Sequence, residues 1–133
     1  MNRRIFSLTF ICALAMAAIP AKAAEWVEYD NGVIADALKS GKTVFVDYSA
    51  VWCSTCRVQE RKINQLRAEN PAYDQAMTFV QVDWDQWGKA PVSTSRKIPR
   101  RSTLLVLKGN KELGRIVAGT STSQIKGLMD MGL

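Results

Sequence analysis

The segment Trp52-Cys53-Ser54-Thr55-Cys56 decides the fold that this sequence predicts. The run before it, residues 43–49, is β-branched and aromatic, as a buried strand is, while residues 57–66 carry apolar side chains among charged ones at helical spacing. The two cysteines therefore lie where a predicted strand passes into a predicted helix. Backbone N–H groups and the positive end of the helix dipole meet at such a point, and both stabilise a thiolate.

The two cysteines have different predicted roles. We expect the pKa of Cys53 to fall below the reference value of about 8.5, which makes this residue the nucleophile. Cys56 follows three positions later on the same helical face, within the Cα spacing of about 5.5 Å that a disulfide needs. Cys56 can therefore attack Cys53 and resolve a mixed disulfide.

Two other interpretations of a Cys-x-x-Cys pair are half of a zinc site and a purely structural disulfide. Zinc takes about four ligands, and the chain has no histidine and no second cysteine pair, so no metal site is expected in a monomer. A bridge that closes so short a loop constrains the unfolded chain little. The strand-to-helix position favours redox chemistry, with no cofactor.

Residues 1–23 have the features of a secretory signal peptide. Arg3 and Arg4 are followed by an apolar run at 5–19, and Ala21 and Ala23 place small residues before a cleavage point. A membrane anchor is the alternative, but a spanning helix needs about 20 apolar residues, and this run is shorter.

Loss of this leader changes the charge and the cysteine count. Removing 23 residues from 133 leaves 110, enough for one domain at 24–133. Of three cysteines only Cys53 and Cys56 stay, and the net charge falls from +6 by three, because Arg3, Arg4 and Lys22 are lost. A nucleic-acid partner is therefore not expected, and we expect a monomer.

The rest of the chain predicts alternating elements of a mixed sheet with helices on both faces. Glycine, proline and polar clusters divide the apolar runs, and Gly109-Asn110 marks a hairpin. The predicted strands are a short edge strand within 25–31 and strands at 43–49, 78–83, 103–108 and 112–118. The predicted helices are 32–41, 53–69, 71–76, 90–97 and 120–133.

The run from Val46 to Cys56 resembles the thioredoxin pattern Val-Asp-Phe-x-Ala-x-Trp-Cys-x-x-Cys, and the run from Ser102 to Lys108 resembles the family's Pro-Thr-Leu-Leu-x-Phe-Lys. The resemblance covers nearly all of 32–133 and implies a thioredoxin fold in a single α/β domain. With the leader, the chain is most similar to exported bacterial thioredoxin-like proteins, including the thioredoxin-like domain of the Dsb-type electron transporter. That similarity implies a periplasmic location.

The resemblance makes Asp47 the family's buried carboxylate beneath the cysteines. An acid within an apolar strand costs several kcal/mol unless it is used or paired, and its pKa should rise there. Asp47 would then accept the proton of Cys56 during resolution. The alternative is a carboxylate at a strand end that caps nearby backbone. Trp52 is expected to cover the site from the side and bind substrate, with ordinary core packing as the alternative.

The sequence departs from the family at two positions. The family's cis-proline, which faces the disulfide, falls on Ser102, and the nearest proline is Pro99. A non-proline cis bond costs about 3 kcal/mol, so either Ser102 is trans or Pro99 carries the turn with a shifted loop. The lysine that often neighbours the buried acid is replaced by Gln81. Ser102 and the preceding Arg101 are expected to contact substrate.

These residues predict a periplasmic thiol-disulfide oxidoreductase that acts on protein thiols and disulfides through a mixed disulfide at Cys53. The closeness to thioredoxin and a buried Asp47 favour reduction, for which a membrane electron-transfer partner would supply electrons. The alternative function is a binding protein in which Cys53 and Cys56 of two subunits hold a metal or an iron-sulfur cluster.

A basic loop, residues 96–101, holds Arg96, Lys97, Arg100 and Arg101. If it approaches Cys53, its charge stabilises the thiolate, whereas a fully solvated loop has no such effect. We predict that replacing Arg100 and Arg101 with alanine raises the pKa of Cys53. Titration of thiolate absorbance measures this pKa, and an unchanged titration would contradict the prediction.

Overall fold

The computed structural model of the chain describes residues 25–133. The predicted signal peptide, 1–23, and its cleavage after Ala23 lie outside the described residues. The five strands form one sheet in the order β1-β3-β2-β4-β5. The strands are β1 Val27–Glu28, β2 Thr43–Ser49, β3 Met77–Asp83, β4 Thr103–Lys108 and β5 Lys111–Val117. The helices are α1 Val33–Lys39, α2 Ser54–Glu69, α3 Ala72–Ala76, α4 Trp84–Trp87, α5 Pro91–Thr94 and α6 Thr122–Asp130.

Strand β2 is the centre of the sheet, and all seven of its residues are buried. It pairs in parallel with β3, where Ser49 lies opposite Asp83, and antiparallel with β4, where Tyr48 lies opposite Thr103. The ends of β2 and β3 and the start of β4 therefore meet at one edge of the sheet. The connection into α2, which carries the cysteines, leaves from that edge.

Alternate residues of the central strands divide between two apolar clusters, because successive side chains point to opposite faces of a sheet. Phe45 packs with Leu104 and with residues of α2, α3 and α6. Val44 and Val46 pack on the other face, against α1, α4 and α5. Each such fully buried side chain contributes roughly 1.5–3 kcal/mol. The predicted mixed sheet with helices on both faces is confirmed.

The predicted elements are present, α4 at Trp84–Trp87 is a helix that was not predicted, and the other differences lie at the ends of elements. The helix expected at 90–97 stops at Thr94, because Lys97 adopts a left-handed backbone with φ 54° and cannot extend a helix. The last helix begins later than predicted, since the side chain of Ser121 accepts the N–H of Gln124 as a cap. Within residues 25–133, none of the helices has both the length and the apolar character needed to cross a bilayer.

Candidate active site

Cys53 is the N-cap residue of α2. Its backbone is extended, and its Sγ accepts a hydrogen bond from the N–H of Cys56 at 3.2 Å. The first turn of α2 contains no acidic side chain that would oppose a negative charge there. The predicted position of the cysteines, between a strand and a helix, is confirmed. A thiolate at Cys53 would gain both this N–H and the helix dipole.

Cys53 and Cys56 form a disulfide with a Cα–Cα distance of 5.3 Å. The two residues differ in exposure, since Cys53 keeps 3% of its surface accessible and Cys56 none. Of the two sulfur-bearing residues only Cys53 keeps any contact with solvent, whereas Cys56 can be reached only from Cys53. The division into an attacking and a resolving cysteine requires this asymmetry.

Asp47 lies in the middle of β2 and is fully buried. Gln81 of β3 donates to its Oδ2 at 3.3 Å, while Oδ1 has no hydrogen-bond partner among the described residues. The pKa of Asp47 is raised to about 7, chiefly by burial. The hydrogen bond from Gln81 lowers this pKa, and the negative charge of Glu60 raises it. The carboxylate caps no backbone group, so the strand-end alternative is wrong.

A cleft of about 350 Å³ opens beside the motif. Its walls include Val51, Arg57 and Glu60 from the region around the cysteines, and also Gln81. Gln81 therefore contacts both the buried carboxylate of Asp47 and the open cleft.

Ser102 faces the disulfide directly. Its hydroxyl oxygen lies 3.2 Å from Cys53 Sγ and 3.1 Å from Cys56 Sγ. No peptide bond among residues 25–133 is cis, so the bond between Arg101 and Ser102 is trans. Of the two alternatives for this loop, the trans serine is correct, and no shift to Pro99 is needed to place a residue opposite the sulfurs.

The backbone of Ser102 is held at φ 62° by three hydrogen bonds. Its N–H donates to the carbonyl of Tyr48 at 2.7 Å, and its carbonyl accepts from the N–H of Ala118 at 2.8 Å. The third bond comes from Gln59, whose Nε2 donates to the same carbonyl at 3.1 Å and to that of Gly119 at 2.9 Å. These contacts fix the direction of the Ser102 side chain.

Gln59 is a site residue that the sequence analysis did not identify. It is fully buried in α2, which is unusual for a polar side chain. A signal was present, because Gln59 follows Cys56 by three positions and precedes Ile63 by four, and this spacing places all three on one face of a helix. An amide on the buried face of a helix predicts a hydrogen-bonding task in the interior.

Trp52 lies at the surface, with 53% of the residue exposed. Its Nε1 donates to Oδ2 of Asp85 at 2.8 Å, and the guanidinium carbon of Arg101 lies 4.3 Å from the ring centroid. The alternative of ordinary core packing is therefore wrong. Val51 is also exposed, so apolar and aromatic surface borders Cys53 together with one cation.

The basic loop, residues 96–101, meets the motif through Arg101. At its other end, the carbonyls of Arg96 and Lys97 accept hydrogen bonds from the guanidinium of Arg115, at 2.7 and 3.1 Å. The predicted convergence of basic residues is therefore partial, and Arg101 is the residue brought against Trp52.

The described residues hold no group of three or more histidine, cysteine or acidic side chains that a metal ion would need. Within residues 25–133 the two sulfurs bond to one another and to the hydroxyl of Ser102. The local arrangement is that of a dithiol and disulfide couple.

Comparison with known proteins agrees with this geometry. A model of the family described as thioredoxin-like matches residues 25–104. Thioredoxin-1 of Saccharomyces cerevisiae is 29% identical over 99 residues, covering 74% of this chain and 84% of the yeast protein. A thioredoxin H-type of Fagopyrum esculentum is 30% identical over 93 residues, covering 70% and 72%.

A solved structure is also similar. The crystal structure of Trxlp from Edwardsiella tarda superposes with a TM-score of 0.66 at 30% identity, covering 77% of this chain and 97% of that one. The chain therefore belongs to the thioredoxin-like family and is a thiol-disulfide oxidoreductase with a Cys53–Cys56 pair.

Proposed function

We propose that the protein reduces disulfides of protein substrates in the periplasm through a mixed disulfide at Cys53. The observation that carries this proposal is the asymmetric pair, in which Cys53 caps α2 and keeps a small accessible area, while Cys56 is fully enclosed. The signal-peptide pattern at 1–23 supports the periplasmic location. In an oxidising compartment the pair must be reduced again, which is the task of a membrane electron-transfer partner.

The reaction begins with the reduced pair. The thiolate of Cys53 attacks one sulfur of the substrate disulfide, forming a Cys53–substrate bond while the other substrate sulfur leaves with the electron pair and takes up a proton. Cys56 then loses its proton and attacks Cys53 Sγ, which releases the second substrate thiolate. The substrate gains two electrons, and the Cys53–Cys56 disulfide forms.

Asp47 receives the proton of Cys56 in this scheme, directly or through water. A base that acts at neutral pH needs a pKa close to 7, and burial gives the carboxyl such a pKa. The proton leaves Asp47 for water once the exchange is complete, and Gln81, which donates to the carboxylate and lines the cleft beside the motif, holds the acid in place.

The surface around Cys53 suits a polypeptide. Val51 and Trp52 supply exposed apolar area, and Arg101 adds a positive charge above the indole ring. The N–H of Ser102 is already bound to the carbonyl of Tyr48, so it is not free to pair with a substrate backbone. Substrate is therefore held through the side chains of Trp52 and Arg101.

Trapping tests the mixed disulfide. We predict that Cys56→Ala, which cannot resolve the intermediate, accumulates covalent adducts with periplasmic proteins that dithiothreitol releases. The matched control is the double variant with Cys53→Ala and Cys56→Ala, which should form none. Absence of adducts from the single variant, or equal capture by the double variant, would contradict the proposal.

The direction of transfer is set by the reduction potential of the pair. We predict a value near or below about −200 mV, as in reductases, measured by equilibration with glutathione. A potential near about −120 mV would instead identify an oxidase.

Asp47 also predicts a pH-dependent stability. Its pKa is about 7 in the folded state and 3.8 when unperturbed, as in the unfolded chain. At low pH the carboxyl is neutral in the folded and the unfolded protein and does not affect stability. As the pH rises from 4 to 7, ionisation favours the unfolded chain progressively more. Three pKa units correspond to about 4 kcal/mol. We predict that Asp47→Asn stabilises the protein by up to about that amount at pH 8 relative to its effect at pH 4.

Denaturant unfolding of the oxidised protein at the two pH values measures this difference. Asp36→Asn, which removes one exposed carboxylate from α1, is the control for loss of a charge. An Asp47→Asn effect that is the same at both pH values would show that burial does not raise the pKa of the carboxyl.

A further inference from the structure

One hydroxyl group serves two sulfur atoms at the centre of the site. The Oγ of Ser102 lies within hydrogen-bond distance of both Cys53 Sγ and Cys56 Sγ, and all three residues are buried. A disulfide sulfur carries no hydrogen, so the hydroxyl is the donor in this state. It has a single hydrogen, which it can give to either sulfur by rotation about the Cβ–Oγ bond.

The hydroxyl has no competing partner. Among residues 25–133 the only hydrogen bonds of Ser102 Oγ are those to the two sulfurs. The rest of Ser102 is fixed, because Tyr48, Gln59 and Ala118 bind its backbone. The donor is therefore already oriented at the place where negative charge develops, which is the arrangement that stabilises charged intermediates most effectively.

We propose that Ser102 is a catalytic hydrogen-bond donor that stabilises the thiolate first of Cys53 and then of Cys56, and that it raises the reduction potential of the pair. The inference rests on the proposed disulfide exchange and assigns a further residue to it. A disulfide sulfur is a weak acceptor, whereas a thiolate accepts a charge-assisted bond that is roughly twice as strong as a neutral one. The hydroxyl therefore favours the reduced pair over the oxidised pair.

The donor follows the charge through the reaction. In the reduced protein, the Cys53 thiolate accepts from the N–H of Cys56 and from Ser102. When Cys53 bonds to the substrate, its negative charge leaves with the departing substrate sulfur. The hydroxyl then turns to Cys56 Sγ as Asp47 takes the proton from that thiol. Attack by Cys56 on Cys53 Sγ breaks the bond to the substrate, whose sulfur leaves with the electron pair.

Proline at this position would lack the donor and also the present backbone. It has no N–H to give to the carbonyl of Tyr48, and its ring fixes φ near −65°, whereas Ser102 has φ 62°. Proline therefore does not fit the present backbone at residue 102. The same substitution that removes the family's proline supplies the hydroxyl.

Two variants that lack the hydroxyl test the proposal, Ser102→Ala and Ser102→Gly. Glycine adopts φ 62° without strain, so the pair separates loss of the hydroxyl from strain in the backbone. We expect both to raise the pKa of Cys53 by about one unit and to shift the glutathione equilibrium about tenfold toward the disulfide, since a hydrogen bond to a charged group contributes roughly that much. A tenfold shift equals about 30 mV for two electrons.

One further variant completes the set. Ser93→Ala removes a different fully buried hydroxyl, which donates to the carbonyl of Trp87, and should leave the pKa of Cys53 unchanged. The thiolate is measured by its ultraviolet absorbance during pH titration, and the redox equilibrium by the fraction oxidised in glutathione buffers.

The outcomes separate the two proposals. Unchanged titration and unchanged equilibrium in both the alanine and glycine variants would overturn the role of Ser102, as would a shift in the alanine variant alone, which would indicate backbone strain. Neither measurement needs a protein substrate. Suppose that the wild type failed to reduce insulin while the pKa of Cys53 and the glutathione equilibrium changed as expected in both variants. The proposed function would then be contradicted, and the role of Ser102 as a donor would be supported.

Discussion

The hydrogen bond from the N–H of Ser102 to the carbonyl of Tyr48 is the contact on which the site depends. It lies at the end of the antiparallel pairing of β2 with β4, and it sets residue 102 against the start of α2. Together with the bonds that the carbonyl of Ser102 accepts from Ala118 and Gln59, it fixes the distance from the loop that enters β4 to the cysteines. The pairing of β2 with β4 therefore helps to place the hydroxyl of Ser102 against the sulfurs of Cys53 and Cys56.

The chemistry of the site depends on charges that form on side chains buried away from water. Cys56 and Asp47 are both fully buried, so a charge on either must be offset by neighbouring dipoles and not by water. The sulfurs have the N–H of Cys56 and the hydroxyl of Ser102, whereas Asp47 has the amide of Gln81. Burial with this one amide donor raises the pKa of Asp47 to about 7, which suits the proposed role of proton acceptor.

Most of the fold follows from local patterns in the chain. The β-branched run at 43–49 and the helical spacing after Cys56 predict elements that the structure contains, because both signals arise from burial of one face. The predicted ends of short helices agree less well with the observed ends. The helix predicted at 90–97 stops at Thr94 because of a single backbone angle at Lys97, and such angles leave little trace in composition.

The sequence by itself determined the strand-to-helix position of the cysteines, their spacing, and the presence of an acid at 47 in an apolar strand, since all of these depend on neighbours along the chain. Only the tertiary structure decided that Ser102 is trans, that its hydroxyl touches both sulfurs, and that Gln59 holds it from 43 positions away. The physical reason is distance along the chain: β4 reaches the cysteines only after the sheet has formed, so no local pattern records that contact.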